Sequence, residues 1–416
     1  MLSSVQPLIG ILTLTLIAIL ISENRQAKKG RLIATGIGIQ FIFAFALLKI
    51  PPIKEAVALL NQGVLALQKA SEAGTSLVFG YLGGGALPFI ENQPGAAYVL
   101  AFQALPLALF ISAFAALLYH WQILPKFVRI FSTLLEKTLN MNGATSFAVS
   151  ANIFVGMVES PLLIRPYLIQ LSRADLFIVM ASGMSCIAGT VLVIYASVLS
   201  AIVPDAASHL LISSVVSAPA VIMLARLAIP NAPECASTTF QPKSTYASTM
   251  DAIATGTGDG IRLVVNIAAM LIVLVALVAL ANSVLTLLPD VASAPLTLQR
   301  VLGAPMQPIV WMLGIPWSET AAAGQLLGTK IALNEMIAYL DLAKLPAGTL
   351  SARSSLIMTY VLCGFANFGS LGIVIGGLGA MAPTRRPEII ALGLRSILIG
   401  AMATCMSAAV VTIVLT

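Results

Sequence analysis

Long apolar stretches recur along the chain, and they restrict its fold more than any other feature of the sequence. Only 9% of the residues are charged and 59% are hydrophobic, whereas a soluble protein carries roughly 25% charged residues. A stretch of about 20 apolar residues can cross a bilayer as a helix, and a helix satisfies its own backbone groups in hydrocarbon. The sequence therefore predicts an all-α, polytopic membrane protein. Eight transmembrane helices are predicted, at residues 3–21, 32–50, 97–119, 174–203, 209–229, 262–288, 354–380 and 391–415.

Three further segments are apolar but interrupted or amphipathic. Residues 53–72 place charged side chains among apolar ones, which is typical of an interfacial helix. Residues 141–170 and 303–345 are apolar enough to enter a bilayer, yet they contain Gly, Pro and several polar residues. Non-helical backbone at membrane depth is tolerated only where protein or a water-filled cavity surrounds it. These two segments are therefore predicted to be re-entrant hairpins.

The distribution of basic residues predicts the orientation of the spans. Residues 23–31 form the most basic short loop, and basic loops face the cytoplasm. With the eight predicted spans, 15 of the 22 Lys and Arg residues fall on the cytoplasmic side and seven fall outside. This bias places both termini outside and requires each hairpin to enter and leave on one face. The first apolar stretch lacks the features of a signal peptide, so it is predicted to be a retained span.

The middle and the C-terminal parts of the chain share one plan. Each part consists of a hairpin, then a long span, then a second span. The two hairpins start on opposite sides of the membrane. Inverted repeats with broken helices are a recurrent design of transporters, which bind solute where the repeats meet. The predicted divisions are scaffold with interfacial helices at 1–140, first transport repeat at 141–230, interfacial helix and scaffold span at 231–302, and second transport repeat at 303–416.

Small and polar residues predict where the helices are interrupted. Residues 182–190 and 363–372 are dense in Gly and small polar residues within the two long spans. An alternative for such residues is close helix packing, and this is the interpretation favoured for residues 376–380. The glycine-rich run at 255–260 resembles a phosphate-binding loop only superficially, because no βαβ pattern surrounds it. It is predicted to be a helix break near the membrane surface.

Several polar side chains stand in segments predicted to lie at membrane depth. A carboxylate there is costly and marks a functional site by default. Glu159 and Glu335 lie in the two hairpins, while Asn152 and Asn367 add amides. These groups suit a neutral solute rich in hydroxyl groups, whose donors can bind carboxylate oxygens. For Glu335, a structural ion pair with Lys330 is the alternative.

Other classes of function find little support in the sequence. The basic residues form no cluster of the kind that binds nucleic acid. The four cysteines form no CxxC pair and are predicted to be small buried hydrophobic residues, and the two histidines have no third ligand nearby for a metal. No hydrolase or zinc-protease motif is present. A membrane-embedded enzyme is therefore the weakest of the alternatives, and neither a cofactor nor a nucleic-acid partner is expected.

From about residue 95 to the C-terminus, several specific motifs resemble the concentrative nucleoside transporter family, in its bacterial form. They are SANIFVG at 150–156, PLLIRPYL at 161–168, LLGTKIALNE at 326–335, CGFANFGS at 363–370 and IGGLGAMAP at 375–383. The resemblance implies eight spans, interfacial helices, two re-entrant hairpins and a homotrimer in the bacterial inner membrane. It also implies symport of nucleosides with a cation, which is Na⁺ in most members and H⁺ in some.

The resemblance carries roles to particular residues. The nucleobase would contact Glu159 and the two residues before it, with Val191 close by. The ribose hydroxyls would bind Glu335, Asn367 and Ser370, with Phe365 lining the pocket. A sodium ion would be held by Asn152, the Val155 carbonyl, Cys186 and the Ile187 carbonyl.

This sequence departs from the family pattern at two places. Met157 and Val158 stand where the family commonly has Gln and Thr, which removes an amide and a hydroxyl from the base subsite. A porter for another neutral polar solute, such as a modified nucleoside or a nucleobase, is therefore the alternative. Cys186 stands where the family commonly has Ser or Thr, and sulfur is a poor ligand for a hard cation. Na⁺ remains the expected coupling ion, with H⁺ carried by Glu159 or Glu335 as the alternative.

Overall fold

The computed structural model describes residues 2–25, 30–90, 97–230, 246–291 and 294–416. These residues form helices joined by short connections, with one isolated β-bridge and no strand among them. Cys235 lies outside the described residues. The helices are α1 (Leu2–Leu20), α2 (Gly30–Lys49), α3 (Pro51–Phe79), α4 (Leu100–Gln103), α5 (Leu105–His120), α6 (Ile123–Leu139), α7 (Gly143–Asn152), α8 (Glu159–Leu163), α9 (Arg173–Ser185), α10 (Gly189–Leu199), α11 (Ala206–Ala228), α12 (Thr249–Leu285), α13 (Leu298–Gly303), α14 (Gln307–Trp311), α15 (Thr320–Ala332), α16 (Glu335–Lys344), α17 (Ala352–Leu362), α18 (Phe368–Met381) and α19 (Arg386–Leu415).

Six helical segments in the described part of the chain are long and apolar enough to cross a membrane. Two shorter apolar helices, Val5–Leu20 and Phe368–Met381, lie close to two of the other predicted spans. The chain is thus a multi-pass membrane protein, and the number of eight spans stays a prediction. The six segments are Gly30–Lys49, Leu100–His120, Arg173–Leu199, Ala206–Ala228, Thr249–Leu285 and Pro383–Leu415.

Each segment predicted to be a hairpin contains a pair of helices joined by a short turn. In hairpin 1 (residues 143–163), the Ser160 hydroxyl on α8 donates to the Ala148 carbonyl of α7 at 2.8 Å. In hairpin 2 (residues 320–344), the Asn334 side chain accepts from the Ile337 amide at 2.9 Å and so caps α16. Entry of these hairpins into the bilayer from one face stays a prediction.

Both long spans are interrupted within the predicted regions. The first break separates α9 from α10 at residues 186–188, and the second separates α17 from α18 at 363–367. Gly364 has a φ of 156°, and a Cβ there would lie 2.9 Å from the Met184 carbonyl oxygen. Only glycine allows this approach. The second break therefore lies directly against the end of α9.

Helices α11 and α19 occupy the centre of the molecule and are buried along most of their length. Both breaks pack against α11. The Cys186 thiol donates to the Ser214 carbonyl at 3.6 Å, and the Cys363 thiol donates to the Leu210 carbonyl at 3.5 Å. These two cysteines, and Cys405 on α19, are buried and free, as the sequence predicts for small hydrophobic residues.

The predicted helix break at 255–260 is wrong, because α12 is continuous over 37 residues. Its glycines serve close packing instead. A Cβ on Gly256 would lie 2.7 Å from the Ala116 Cβ of α5, and a Cβ on Gly260 would lie 2.8 Å from the Leu109 Cα. Most of the remaining surface of α12 is exposed and apolar. The predicted interfacial segment at 53–72 lies within the longer helix α3.

Candidate functional site

A polar cluster forms where hairpin 2 meets the second break. Glu335 is 5% exposed, and its two carboxylate oxygens have different partners. The Tyr195 hydroxyl donates to Oε1 at 2.7 Å, and the Asn367 amide nitrogen donates to Oε2 at 2.9 Å. A carboxylate offers about four lone-pair sites. Glu335 therefore keeps acceptor capacity beyond these two bonds.

Helix N-termini hold this cluster in place. Glu335 is the first residue of α16. Asn367 is the N-cap of α18, where its side-chain oxygen accepts from the Ser370 amide at 2.7 Å. Both helix starts carry partial positive charge, which favours a carboxylate nearby. The sequence-predicted residues Glu335, Asn367 and Ser370 are thus brought together by one network.

The first repeat supplies the other wall of the cluster through α10. The ring of Tyr195 packs against that of Tyr339 of hairpin 2, with a centroid distance of 5.0 Å and an interplanar angle of 42°. Val191 lies one helical turn before Tyr195 and is 5% exposed, so the two side chains share a face of α10. Phe365 lies in the second break and is 8% exposed. Buried aromatic and aliphatic side chains therefore accompany the polar residues in the segments that form the cluster.

A second group of predicted residues surrounds the turn of hairpin 1. The buried Asn152 amide nitrogen donates to the Ser182 carbonyl of α9 at 2.7 Å. The Gly189 amide donates to the Phe154 carbonyl at 3.1 Å and thereby joins the turn to the first break. Val155 lies in that turn, and Ile187 lies in the break. The end of α7, the turn of hairpin 1 and the first break thus lie next to each other, and the four residues to which the resemblance gives a cation-binding role belong to these segments.

The donor set at this turn suits a hard cation only in part. The Asn152 amide nitrogen is bound to the Ser182 carbonyl, so the side-chain oxygen of Asn152 is the atom that can bind a cation. Backbone carbonyls of Val155 and Ile187 are further oxygen donors of the kind that such ions prefer. Cys186 contributes sulfur, and its thiol is engaged with α11. Three of the four predicted ligands therefore fit Na⁺, and Cys186 fits it poorly.

Met157, Val158 and Glu159 follow the turn of hairpin 1. Met157 lies against α9: a Cβ added to Gly183 of α9 would lie 3.0 Å from the Cβ of Met157. Val158 lies against α18, with its Cγ1 3.0 Å from the position of a Cβ on Gly377. Glu159 is exposed to solvent. Among the described residues, no hydrogen bond or ion pair joins Glu159 to Glu335.

Helix α18 carries Ser370 of the Glu335 cluster and also contacts Val158 of hairpin 1. Gly377 lies seven residues after Ser370, which is two helical turns, so both positions lie on one face of the helix. Two turns span about 10 Å. Val158 of hairpin 1 therefore contacts α18 about 10 Å along the helix from Ser370.

The alternative of an ion pair between Lys330 and Glu335 is wrong. The described residues contain no such pair within ion-pair distance. The Lys330 ammonium instead donates to the Val361 carbonyl at 2.8 Å and to the Thr404 hydroxyl at 3.0 Å. Glu335 is left to its partners Tyr195 and Asn367.

Two polar residues near the site were not assigned from the sequence alone. Tyr195 lies in an otherwise aliphatic stretch of α10, and its position four residues after Val191 is the one signal that placed it on the same face. Lys330 was considered only as a partner of Glu335. Neither role follows from spacing, because both depend on contacts between helices that are far apart in the sequence.

Comparison with known proteins agrees with this geometry. Three family models match the chain: the Na⁺-dependent nucleoside transporter N-terminus at residues 9–82, a nucleoside-recognition Gate domain at 101–202, and the Na⁺-dependent nucleoside transporter C-terminus at 209–412. The nucleoside permease NupC of Helicobacter pylori is 33% identical over 98% of this chain and 97% of its own. The mouse sodium/nucleoside cotransporter 1 is 31% identical over 94% of this chain and 60% of its own length.

Among solved structures, CNTnw in an inward-facing substrate-bound state matches with a TM-score of 0.90 and 30% identity, over 99% of this chain and 98% of the other. Outward-facing and intermediate states of substituted CNTnw match with TM-scores of 0.88 to 0.91. These relatives are transporters and not enzymes. The chain belongs to the concentrative nucleoside transporter family.

Proposed function

We propose that this protein imports nucleosides across a bacterial cytoplasmic membrane by symport with a cation, and that the cation is Na⁺. The observation that carries the proposal is the cluster of Glu335, Asn367 and Ser370 at the N-termini of two half-helices. The ribose hydroxyls donate to the remaining lone pairs of Glu335. A solute without these hydroxyls leaves buried acceptors unpaired and is rejected.

The nucleobase lies toward hairpin 1, between Val158 and Glu159 on one side and Val191 on the other. Met157 and Val158 offer no hydrogen bonds from their side chains, so these positions hold the base by packing. A subsite of this kind distinguishes bases weakly. Glu159 and backbone groups are then the polar contacts of the base, and Phe365 lines the pocket.

Na⁺ is bound by Asn152, the Val155 and Ile187 carbonyls and, weakly, by the Cys186 sulfur. In the alternative, H⁺ is carried by Glu159 or Glu335. Support for Na⁺ comes from the oxygen donors gathered at the turn of hairpin 1 and from the sodium cotransport of mammalian relatives.

For the architecture, we propose eight spans with both termini outside, and two re-entrant hairpins in inverted repeats at 141–230 and 303–416. The scaffold comprises 1–140 and 231–302. Apolar surfaces of α5 and α12 face lipid and the other subunits of a homotrimer, which the long exposed face of α12 supports. We also propose alternating access, which is supported by the similarity to CNTnw structures in inward-facing, outward-facing and intermediate states.

Uptake into proteoliposomes tests the proposal. Labelled uridine and adenosine are offered under an inward Na⁺ gradient, under an H⁺ gradient and with neither. Accumulation is expected with Na⁺ and should disappear when an ionophore collapses that gradient. Failure of both gradients to drive either nucleoside would refute cation-coupled nucleoside transport, and accumulation with H⁺ alone would replace Na⁺ by H⁺.

The Glu335→Gln variant tests the role of the carboxylate, because Gln keeps the shape of the side chain but lacks the negative charge. Its uptake is expected to fall to background. The alternative of another neutral polar solute is tested by competition with nucleosides, free bases and free sugars. Stronger competition by a free base or a sugar than by any nucleoside would favour that alternative.

A further inference from the structure

Lys330 is a buried cation without a carboxylate within ion-pair distance among the described residues. It lies in the last turn of α15, and its side chain is 0% exposed. Its ammonium donates to the Val361 carbonyl at 2.8 Å and to the Thr404 hydroxyl at 3.0 Å. Removing an ammonium ion from water costs several kcal/mol unless other groups replace the lost solvation. The fold therefore retains this charge at a considerable cost.

The end of α17 explains why a positive charge is favourable at this place. Helix α17 ends at Leu362, so its last carbonyls have no partner within the helix. Two of them are bound by hairpin 2: Tyr339 donates to the Thr359 carbonyl at 2.9 Å, and Lys330 donates to the Val361 carbonyl. The C-terminal end of a helix carries partial negative charge, which attracts a cation.

The first repeat has the same arrangement with a different side chain. Asn152 is the last residue of α7, and it donates to the Ser182 carbonyl in the last turn of α9. In both repeats, the first helix of the hairpin (α7 or α15) thus ends beside the last turn of the helix that precedes the break (α9 or α17). The bond comes from a neutral amide in the first repeat and from an ammonium in the second.

We propose that Lys330 is a tethered cation, which permanently supplies to hairpin 2 the charge that hairpin 1 obtains from a diffusible cation. Lys330 is a positioning residue: it holds hairpin 2 on α17 and α19, and so keeps Glu335 in place to bind the ribose. Only one diffusible cation is then needed at the two breaks. This inference rests on the cation-coupled transport proposed above.

Chemical rescue of Lys330→Ala tests the inference. Truncation to Ala removes three methylene groups and the ammonium, a fragment that matches n-propylammonium. Nucleoside uptake is expected to fall by roughly tenfold or more, because two hydrogen bonds from a charged donor are lost. Added n-propylammonium should restore uptake, whereas n-propanol, which has a similar shape but no charge, should not.

The dependence of uptake on cation concentration gives a second measure. If a diffusible cation replaces the missing ammonium, the Hill coefficient for Na⁺ in Lys330→Ala should rise from about one toward two. Lys330→Met fills the space without a charge and should not be rescued. Lys344→Ala, which removes an exposed lysine of the same hairpin, should resemble the wild type.

Unchanged uptake in Lys330→Ala, or equal rescue by propanol and propylammonium, would overturn the inference. If Lys330→Ala loses transport and propylammonium does not restore it, the melting temperature in detergent is measured with and without propylammonium. The inference requires that propylammonium raise the melting temperature of this variant more than that of the wild type. The absence of that difference also overturns it. Wild-type uptake in the same vesicles tests nucleoside transport itself, so the two failures are distinguishable.

Discussion

The hydroxyl of Tyr195 fixes one oxygen of Glu335 from across the boundary between the two repeats. It gives this carboxylate, which we propose binds the ribose, a single orientation, while Asn367 holds the other oxygen. A group held in this way loses little freedom when a solute binds, so less binding energy is spent on ordering it. If Glu335 binds the ribose as proposed, a residue of the first repeat contributes to that affinity.

Replacing Tyr195 with Phe keeps the ring against Tyr339 and removes the hydroxyl. We expect the KM for nucleosides to rise by about tenfold, because a hydrogen bond to a charged group contributes about 1.5–3 kcal/mol, while the maximal rate changes less. Uptake kinetics measure both. In Tyr339→Phe, the lost bond is to the Thr359 carbonyl and not to Glu335, so stability should fall and the KM should rise less than in Tyr195→Phe. Equal KM in wild type and Tyr195→Phe would contradict the role.

Cys186→Ser replaces sulfur by oxygen at the predicted cation site. If Na⁺ is the coupling ion, its apparent affinity should rise severalfold, since a hydroxyl is a better ligand for a hard cation than a thiol. The measurement is nucleoside uptake against Na⁺ concentration. Cys405→Ser, which changes a buried cysteine of α19 that is not among the predicted cation ligands, is the control. A Na⁺ dependence that is the same in both variants would favour coupling to protons.

The individual polar residues were predictable because polar groups are expensive at membrane depth, which singles out Glu159, Glu335 and Asn367. Their partners were not predictable in the same way. Lys330 and Glu335 carry opposite charges and are close in sequence, so an ion pair was a reasonable alternative, yet Lys330 reaches α17 and α19 instead. Contacts between helices that are distant in sequence depend on how the helices cross, and residue spacing does not contain that information.

Among the elements, the pair of α5 and α12 shows most clearly how glycine is used. Gly256 and Gly260 are one turn apart on the same face of α12 and allow the backbones of the two helices to approach closely. The sequence predicted a helix break here, because glycine is a poor helix former. It could not reveal that α5 covers these positions. Elsewhere glycine does mark breaks, as Gly364 does, so composition alone did not separate the two uses.

Gly260→Val tests this interface. A Cβ at Gly260 would lie 2.8 Å from the Leu109 Cα, so the helices must separate, at a cost of about 1–3 kcal/mol. We expect a lower melting temperature in detergent. Gly258→Ala lies in the same helix with no neighbouring atom within 4 Å of its added Cβ, and should stabilise the protein slightly by improving helix propensity. A melting temperature of Gly260→Val at or above that of the wild type would contradict the packing argument.

At the scale of the whole molecule, charged side chains join distant parts of the chain at the predicted cytoplasmic face. Glu23, in the connection between α1 and α2, accepts from Arg173 at the start of α9 at 3.1 Å, and it also pairs with Arg395 of α19. Arg173 further lies 3.8 Å from Glu388. The hydrogen bond from Arg173 lowers the pKa of Glu23, partly opposed by burial, and Arg395 lowers it further.

This lowered pKa predicts a pH dependence. The contribution of ionised Glu23 is present above the ordinary pKa of a carboxyl group and is lost as the pH falls through the lowered pKa. Because the groups are partly exposed, each pair contributes only about 0–1 kcal/mol. Glu23→Gln should therefore melt slightly below the wild type at pH 7, and the difference should vanish in acid. A difference of the same size at both pH values would contradict this assignment.

The buried ammonium of Lys330 also bears on how steeply this protein can concentrate its solute. A charge that is covalently part of the carrier returns with it and dissipates no gradient, so it performs no osmotic work. Each diffusible cation that crosses with a nucleoside releases about 2.3 kcal/mol per 100 mV, which corresponds to roughly fiftyfold accumulation. Because Lys330 fills one of the two positions, this protein would import each nucleoside together with a single ion. The highest accumulation ratio that it can reach would then be lower than with two ions.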